Sequence, residues 1–272
     1  MRTLSLVALL IVSLSLQAQE RRPLGARIAA LSGASAALAC ETWAAAANPA
    51  SLAACPTFGV AVFAMPALYG MSELRTVALA ATAPVRGAVL GGSLYRFGFS
   101  LYNETGLSLA LGGQAAAGLA LGGSVHARLV EIARYGERLE YSGDLGALAE
   151  VVGDVWIGAA VRSLWGSVIL LPGQDLATSF SVAVAASPRE NALVIAELER
   201  QEGFRPQAKL ALECAIVQAL TLRLGWSTNP ESFSAGCGIR VRTLEFAYAG
   251  SLHTELGWTH AIELQLAACE GL

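Results

Sequence analysis

Apolar and polar residues alternate along much of the chain, most clearly in its last third. In "PQAKLALECAIV", residues 206–217, Lys209 and Glu213 share one face, whereas Leu210 and Leu212 share the other. In "ALTLRLGWS", residues 219–227, Arg223 opposes the flanking leucines in the same way. A period of two is typical of β-strands that have one apolar face and one polar face.

From residue 57 onward the chain divides into segments of about ten residues that are separated by Gly, Pro, Asn or clustered charges. This pattern predicts about fourteen strands. They lie near residues 57–66, 73–84, 86–99, 104–115, 117–132, 137–151, 153–166, 175–187, 190–200, 206–215, 218–226, 231–242, 243–252 and 256–267.

The apolar strand face could point inward to the core of a soluble β-sandwich or outward to lipid in a membrane barrel. Charged residues make up 14% of the chain, against roughly 25% in a typical soluble protein, and the mean hydropathy is +0.53. An even number of strands near ten residues each suits a bacterial outer-membrane barrel. We therefore predict an all-β fold, a transmembrane antiparallel β-barrel; a soluble secreted β-sandwich that binds a ligand is the alternative.

The first residues, "MRTLSLVALLIVSLSLQAQERR", have the pattern of a secretory signal peptide. Arg2 supplies a positive charge, Leu4 to Leu16 form an apolar stretch, and Ala18 is a small residue before a cleavage point. The apolar stretch is shorter than the ~20 residues that a spanning helix needs. We predict a signal peptide over residues 1–18, and an exported chain that begins near Gln19.

Membrane-spanning helices are the other way to place so apolar a chain in lipid. The best candidate, "TGLSLALGGQAAAGLALGGSV" at residues 105–125, is uncharged and long enough, but it contains two Gly-Gly pairs. Paired glycines favour turn-rich β structure over a helix. The net charge of −3 gives no indication of a nucleic-acid partner.

Residues 25–54, "GARIAALSGASAALACETWAAAANPASLAA", resemble the N-terminal hatch of the FadL-type outer-membrane transporter superfamily. The match consists of residues 25–27, 33–34 and 48–53; Ser51 replaces the family's usual glycine. The segments at 134–164 and 232–266, the latter beginning "SFSAGCGIRVR", resemble the PorV/PorQ-like branch. The resemblance implies a hatch at residues 19–56 and an outer-membrane barrel at residues 57–272.

The resemblance also implies that the hatch folds into the barrel as a plug, with Asn48, Pro49 and Ala50 at its centre. Proline lacks an N–H and interrupts regular structure, and Asn48 can bond backbone groups that would otherwise lack partners. The alternative is an Ala-rich helix that is capped by Asn-Pro and plugs nothing.

Several polar residues are predicted to face the lumen. Glu104, His126, Arg128, Arg223 and Arg240 lie on the polar faces of their segments. They form either a wet wall of compensating ion pairs or a constriction that guides the head group of an amphipathic solute. The sequence contains no Cys-x-x-Cys, no Gly-x-Ser-x-Gly and no His pair at metal spacing. We therefore predict no catalytic site, no metal and no cofactor.

The five cysteines include a pair in the hatch. A disulfide between Cys40 and Cys55 would close a loop of ~15 residues and add about 3 kcal/mol. The alternative is two small buried side chains.

Three functions fit these patterns. The first is a channel in the outer membrane of a Gram-negative-type bacterium, gated by the plug and passing small hydrophobic or amphipathic solutes. The second is a PorV-like (type IX) secretion-associated barrel that handles exported proteins with other secretion components. The third is the soluble sandwich. The first two imply contact with outer-membrane lipid, and none implies a nucleic acid.

Overall fold

The computed structural model describes residues 22–55, 57–168 and 176–266. The predicted signal peptide and the ends of the chain lie outside these ranges. Fourteen antiparallel strands form one closed barrel in which each strand pairs with its neighbours in sequence. The strands are β1 Gly59–Ala67, β2 Thr76–Val85, β3 Ala88–Gly98, β4 Tyr102–Ala116, β5 Leu119–Ile132, β6 Gly136–Val152, β7 Val155–Val168, β8 Ser179–Arg189, β9 Ala192–Gln201, β10 Gln207–Val217, β11 Leu220–Ser227, β12 Ser232–Val241, β13 Leu244–His253 and β14 Gly257–Leu266.

The last strand closes the barrel against the first. Val60 of β1 is paired with Leu266 of β14, and the ladder continues to Ala67 and His260. Closure leaves no strand edge with unpaired N–H and C=O groups, which is the condition for a sheet to cross a membrane. The predicted fourteen-strand barrel is confirmed, and the alternatives of a soluble sandwich and of helical spans are wrong.

The period-two pattern separates the inside of the barrel from the outside. On β11, Leu224 is 55% exposed on the outer wall, whereas its neighbour Arg223 is 4% exposed and points into the lumen. Lys209 and Glu213 likewise point inward on β10, and Leu210 points outward. The apolar face therefore meets lipid and the polar face lines the lumen.

The two ends of the barrel differ in the length of their connections. At one end, the turn side, six connections contain two residues each, for example 86–87 and 117–118. Both Arg86 and Gly87 have positive φ, at 43° and 86°, as a type I′ hairpin turn requires. Connections such as 68–75, with a 3-10 helix at Ser72–Leu74, 99–101 and 202–206 lie at the other end, the loop side. Short turns face the periplasm and longer loops face outward in barrels of this kind.

Residues 22–55, here the N-terminal segment, pack against the inner wall. The segment contains a five-residue α-helix, α1 at Ala26–Ala30, and 3-10 helices at Ala44–Ala46 and Pro49–Ala54. Helix α1 contacts β11 to β14, whereas the 3-10 helix Pro49–Ala54 contacts β3 to β6 on the other side of the lumen. The segment therefore spans the width of the barrel. Within the described residues, no helix is long and apolar enough to cross a membrane.

The outward orientation of β11 predicts a depth-dependent effect of charge. Leu224→Arg, in the body of the strand, should lower the free energy of unfolding from lipid vesicles by about 2–4 kcal/mol, whereas Val241→Arg, at the turn-side end of β12, should lower it by about 0–1 kcal/mol. Urea titration of the barrel in vesicles measures both values. Leu224→Ala controls for loss of the side chain, and equal costs for the two arginines would contradict the assigned membrane depth.

Candidate functional site

A cavity of about 1270 Å³ occupies the loop side of the lumen. Its rim includes residues at the loop-side strand ends, such as Ser232 and His253, and its floor is formed by Leu24, Ile28 and Trp43 of the N-terminal segment. The segment therefore lies between this cavity and the turn side of the barrel.

The cavity has chemically different walls. Met65, Ala249 and Ala261, on β1, β13 and β14, give one apolar side. Charged side chains from β5 to β10 line the other side: Arg128, Arg138, Glu140, Arg162, Glu199 and Lys209. A solute with an apolar part and a polar part can contact both sides at once.

The structure divides the five lumen residues considered above into two groups. His126 and Arg128 on β5 line the cavity and Glu104 on β4 lies beside them, whereas Arg223 lies in the turn-side half of β11 and Arg240 near the turn-side end of β12. All five point inward. The two groups belong to different ion networks.

The first network joins three strands. Arg128 Nε donates to Glu140 Oε2 at 2.6 Å, and Arg138 also binds Glu140. The Nη1 atom of Arg128 lies 3.8 Å from Glu104 Oε2. Glu104 is buried and outside the cavity lining, which Arg128, Arg138 and Glu140 form on this side.

His126 lies among serines and an aspartate that strand register brings together. Its Nδ1 is 2.8 Å from Ser108 Oγ, and its Nε2 is 3.0 Å from both Ser124 Oγ and Asp144 Oδ2. Asp144 Oδ1 also accepts the backbone N–H of Ser163 at 2.8 Å. A serine, a histidine and an acid at these distances are also found in hydrolases, and sequence spacing alone gave no signal of this group.

The second network attaches the N-terminal segment to β10–β13. Arg27 donates to both carboxylate oxygens of Glu213, at 2.8 and 2.9 Å, and Arg223 donates to Glu213 at 2.6 Å. Arg223 and Arg240 each donate to Glu245 at 2.9 Å. A two-pronged arginine–carboxylate contact is both strong and directional, so Arg27 fixes the position of helix α1 on the wall.

Burial shifts the pKa values of groups in the segment. Burial lowers the pKa of Arg27, but the carboxylates of Glu213 and Glu41 outweigh it and hold that pKa above its usual value. Burial raises the pKa of Glu41, against the opposing effect of Arg27. Burial, with Glu41 nearby, raises the pKa of the Cys55 thiol to about 12. The Cys55 thiolate, which is the reactive form, is therefore scarce at neutral pH.

Carboxylates on the wall bind backbone N–H groups of the segment. Glu263 on β14 accepts the Ala26 N–H at 2.5 Å and the Trp43 indole N–H at 3.0 Å. Glu197 on β9 accepts the N–H groups of Ser35 and Ala36, both at 2.8 Å. These contacts satisfy donors that would otherwise be buried without partners. The alternation of polar and apolar residues could assign both glutamates to the lumen face, but it could not predict that they bind the segment.

Asn48, Pro49 and Ala50 lie on the opposite side of the lumen from helix α1. The Asn48 side chain caps the 3-10 helix by accepting the Ala50 N–H at 3.1 Å, and it donates to the Ala147 carbonyl on β6 at 3.2 Å. The Ala-rich stretch forms two short 3-10 helices and not one α-helix.

The wall carries glycines where the segment backbone approaches it. A Cβ added at Gly112 would lie 2.5 Å from the Pro49 carbonyl oxygen, and one at Gly91 would lie 2.8 Å from Leu52. Other inward positions would also overlap the segment: Gly122, Gly146, Gly158, Gly225 and Gly236. At these seven inward positions glycine leaves room for the segment, with which a larger residue would collide.

The predicted Cys40–Cys55 disulfide is wrong. Cys55 is a buried thiol whose Sγ donates to the Ser51 carbonyl oxygen at 3.9 Å, whereas Cys40 is disulfide-bonded. The spacing of two cysteines gives the length of the loop between them but not the directions of their side chains. Among the described residues, no cluster of His, Cys, Asp and Glu could hold a metal ion.

Neither a protein-family model nor a curated protein sequence matches the chain. Solved structures do. The chain is similar to the Pseudomonas putida toluene transporter TodX at a TM-score of 0.64 and 13% identity, over 92% of this chain and 98% of that one. It is similar to a Pseudomonas aeruginosa FadL homologue at 0.62 and 13%, over 91% and 99%. The "CymD monoaromatic hydrocarbon channel" gives 0.64 and 11%, over 89% and 97%.

These similarities show that the chain has the fold of FadL-type channels. A closed, even-numbered barrel with an apolar outer wall is an outer-membrane architecture, so the protein lies in the outer membrane of a Gram-negative-type bacterium, as the sequence predicted. The His126 group of this chain lies in the polar wall of the cavity.

Adjacent glycines on β4 test the fit between wall and segment. Gly112→Ala places a Cβ against Pro49, whereas Gly113→Ala places one on the outer side, 3.6 Å from Ala88 Cβ. We expect Gly112→Ala to lower the free energy of unfolding by about 1–3 kcal/mol, as overpacking does, and Gly113→Ala to leave it nearly unchanged. Urea titration measures both, and a matching loss in the two variants would show that the segment does not press on Gly112.

Proposed function

We propose that the protein is an outer-membrane channel through which small hydrophobic or amphipathic solutes pass, and that the N-terminal segment is its plug. In this proposal residues 1–18 are a signal peptide, residues 19–56 form the plug region and residues 57–272 form the barrel. The cavity carries the proposal: it lies on the loop side and ends on the segment. The names of the similar structures, a toluene transporter and a monoaromatic hydrocarbon channel, support the class of solute.

The apolar and charged sides of the cavity support the passage of amphipathic solutes. An apolar solute fits against Met65 and Ala249, and a polar head group fits against the arginines on the opposite side. The PorV-like reading is without comparable support, because the structures named above include no secretion component and no surface feature of the described residues favours one.

A substitution that fills the cavity should slow solute uptake. Ser251→Trp places an indole into the cavity, whereas Leu252→Trp, the next residue on β13, places it on the outer wall. The uptake of 1-N-phenylnaphthylamine by intact Gram-negative cells, followed by fluorescence, should fall severalfold with Ser251→Trp and not with Leu252→Trp. Equal uptake by wild type and by cells that lack the barrel would contradict the channel.

Removal of the segment should open the lumen. A barrel without residues 25–54 should assemble and show a larger single-channel conductance in planar bilayers than the full-length chain. The open pore should favour cations, because Glu197, Glu213 and Glu263 lose the donors that the segment supplies. An unchanged conductance, with normal heat-modifiable migration on gels, would show that the segment does not occlude the lumen.

The Cys55 thiol reports plug movement without a deletion. Its pKa of about 12 and its burial protect it from a charged maleimide at pH 7 while the segment is in place. In a background in which Cys40, Cys214, Cys237 and Cys269 are replaced, so that Cys55 is the one remaining cysteine, labelling that increases with solute would support displacement of the plug. If the maleimide labelled Cys55 at the same rate in native and denatured protein, the segment would not be packed in the lumen of the native barrel.

A further inference from the structure

A group of two aromatic rings and a carboxylate lies beside the β3–β4 hairpin, and an arginine of the N-terminal segment fills it. The guanidinium carbon of Arg22 lies 3.3 Å from the centroid of the Phe97 ring, and Arg22 Nη2 donates to Glu104 Oε2 at 2.7 Å. The Tyr102 hydroxyl donates to Glu104 Oε1 at 2.6 Å, and the Tyr102 ring meets Phe97 edge to face at 6.3 Å. We call Phe97, Tyr102 and Glu104 the aromatic box.

Arg22 separates the box from the cavity. Phe97 and Glu104 are each 4% exposed, whereas Arg22 lines the cavity. The guanidinium therefore occupies a preformed cation site as a tethered ligand.

We propose that the aromatic box binds an organic cation, an alkylammonium head group, which enters the cavity and takes the place of Arg22. The face of an aromatic ring attracts cations, most strongly where water is excluded, and trimethylammonium groups are recognised in this way. The buried Glu104 carboxylate adds a full opposite charge. Binding at the box requires only the cavity, so it goes beyond the proposed passage of solutes and does not depend on it.

The charges around the box favour a cation over an anion. Glu104 and Glu140 lie among Arg22, Arg128 and Arg138, and both Arg128 and Arg138 bind Glu140. A cation that displaces Arg22 leaves the total charge of this cluster unchanged. An anion in the box would instead lie directly against the Glu104 carboxylate.

Removal of the tethered arginine exposes the site to a free ligand. We choose choline as the probe and 3,3-dimethylbutan-1-ol, in which carbon replaces the charged nitrogen, as its uncharged counterpart. Titration calorimetry uses the full-length barrel in a non-ionic detergent. Arg22→Ala should bind choline at least about tenfold more tightly than wild type, since it lacks the internal competitor, and it should bind the uncharged counterpart at least about tenfold more weakly than choline.

Second substitutions in the Arg22→Ala variant test whether choline binds at the aromatic box. Arg22→Ala with Glu104→Gln, and Arg22→Ala with Phe97→Leu, should return choline binding to the wild-type level or below. Phe97→Tyr in the Arg22→Ala background keeps the ring and should keep the binding. Arg205→Ala, which removes another arginine from the cavity lining, should leave choline binding as in wild type. Heat-modifiable migration confirms that each variant has assembled.

Three results would overturn the inference. They are no gain in choline binding by Arg22→Ala, equal binding of choline and its uncharged counterpart, and tighter binding of hexanoate than of choline by Arg22→Ala. The Ser251→Trp uptake experiment tests passage separately, so a channel that passes solutes but ignores choline is distinguishable from a barrel that passes nothing.

Discussion

Hydrocarbon offers a peptide group no partner for a hydrogen bond, and each unpaired group there costs several kcal/mol. The pairing of β1 with β14, from Val60 and Leu266 to Ala67 and His260, removes the last free edge of the sheet. Once the sheet is closed, neighbouring side chains must face opposite environments. Leu224 in lipid and Arg223 in the lumen are one residue apart for this reason.

The same requirement operates inside the barrel. The N-terminal segment brings its own backbone donors into a lumen where few can reach water. Glu263 and Glu197 accept three of these backbone donors together with the Trp43 indole N–H, and Glu213 binds Arg27. The acidic residues of the wall are therefore matched to the segment, and glycines such as Gly112 allow its backbone to come close.

The segment forms the floor of the loop-side cavity, and the two sides of that cavity differ in polarity. Met65 lies on the apolar side, whereas the opposite side presents the guanidinium groups of Arg128 and Arg138 with the carboxylate of Glu140. Arg22 belongs both to the segment and to this charged side. Arg22 thus joins the N-terminal segment to the charged side of the cavity, where it lies over the Phe97 ring.

The alternation of residues determined the strands and their facing, because side-chain direction in a strand depends only on parity. All fourteen strands lie near their predicted ranges, and Glu104 and Arg240 were assignable to the inner face from sequence. Neighbours across strands were not assignable. His126 meets Ser108 only because β4 and β5 pair in one register, and Arg27 meets Glu213 although 186 positions separate them. Such contacts, like the direction of the Cys55 side chain, are decided by how the segment lies in the closed barrel, which local patterns do not specify.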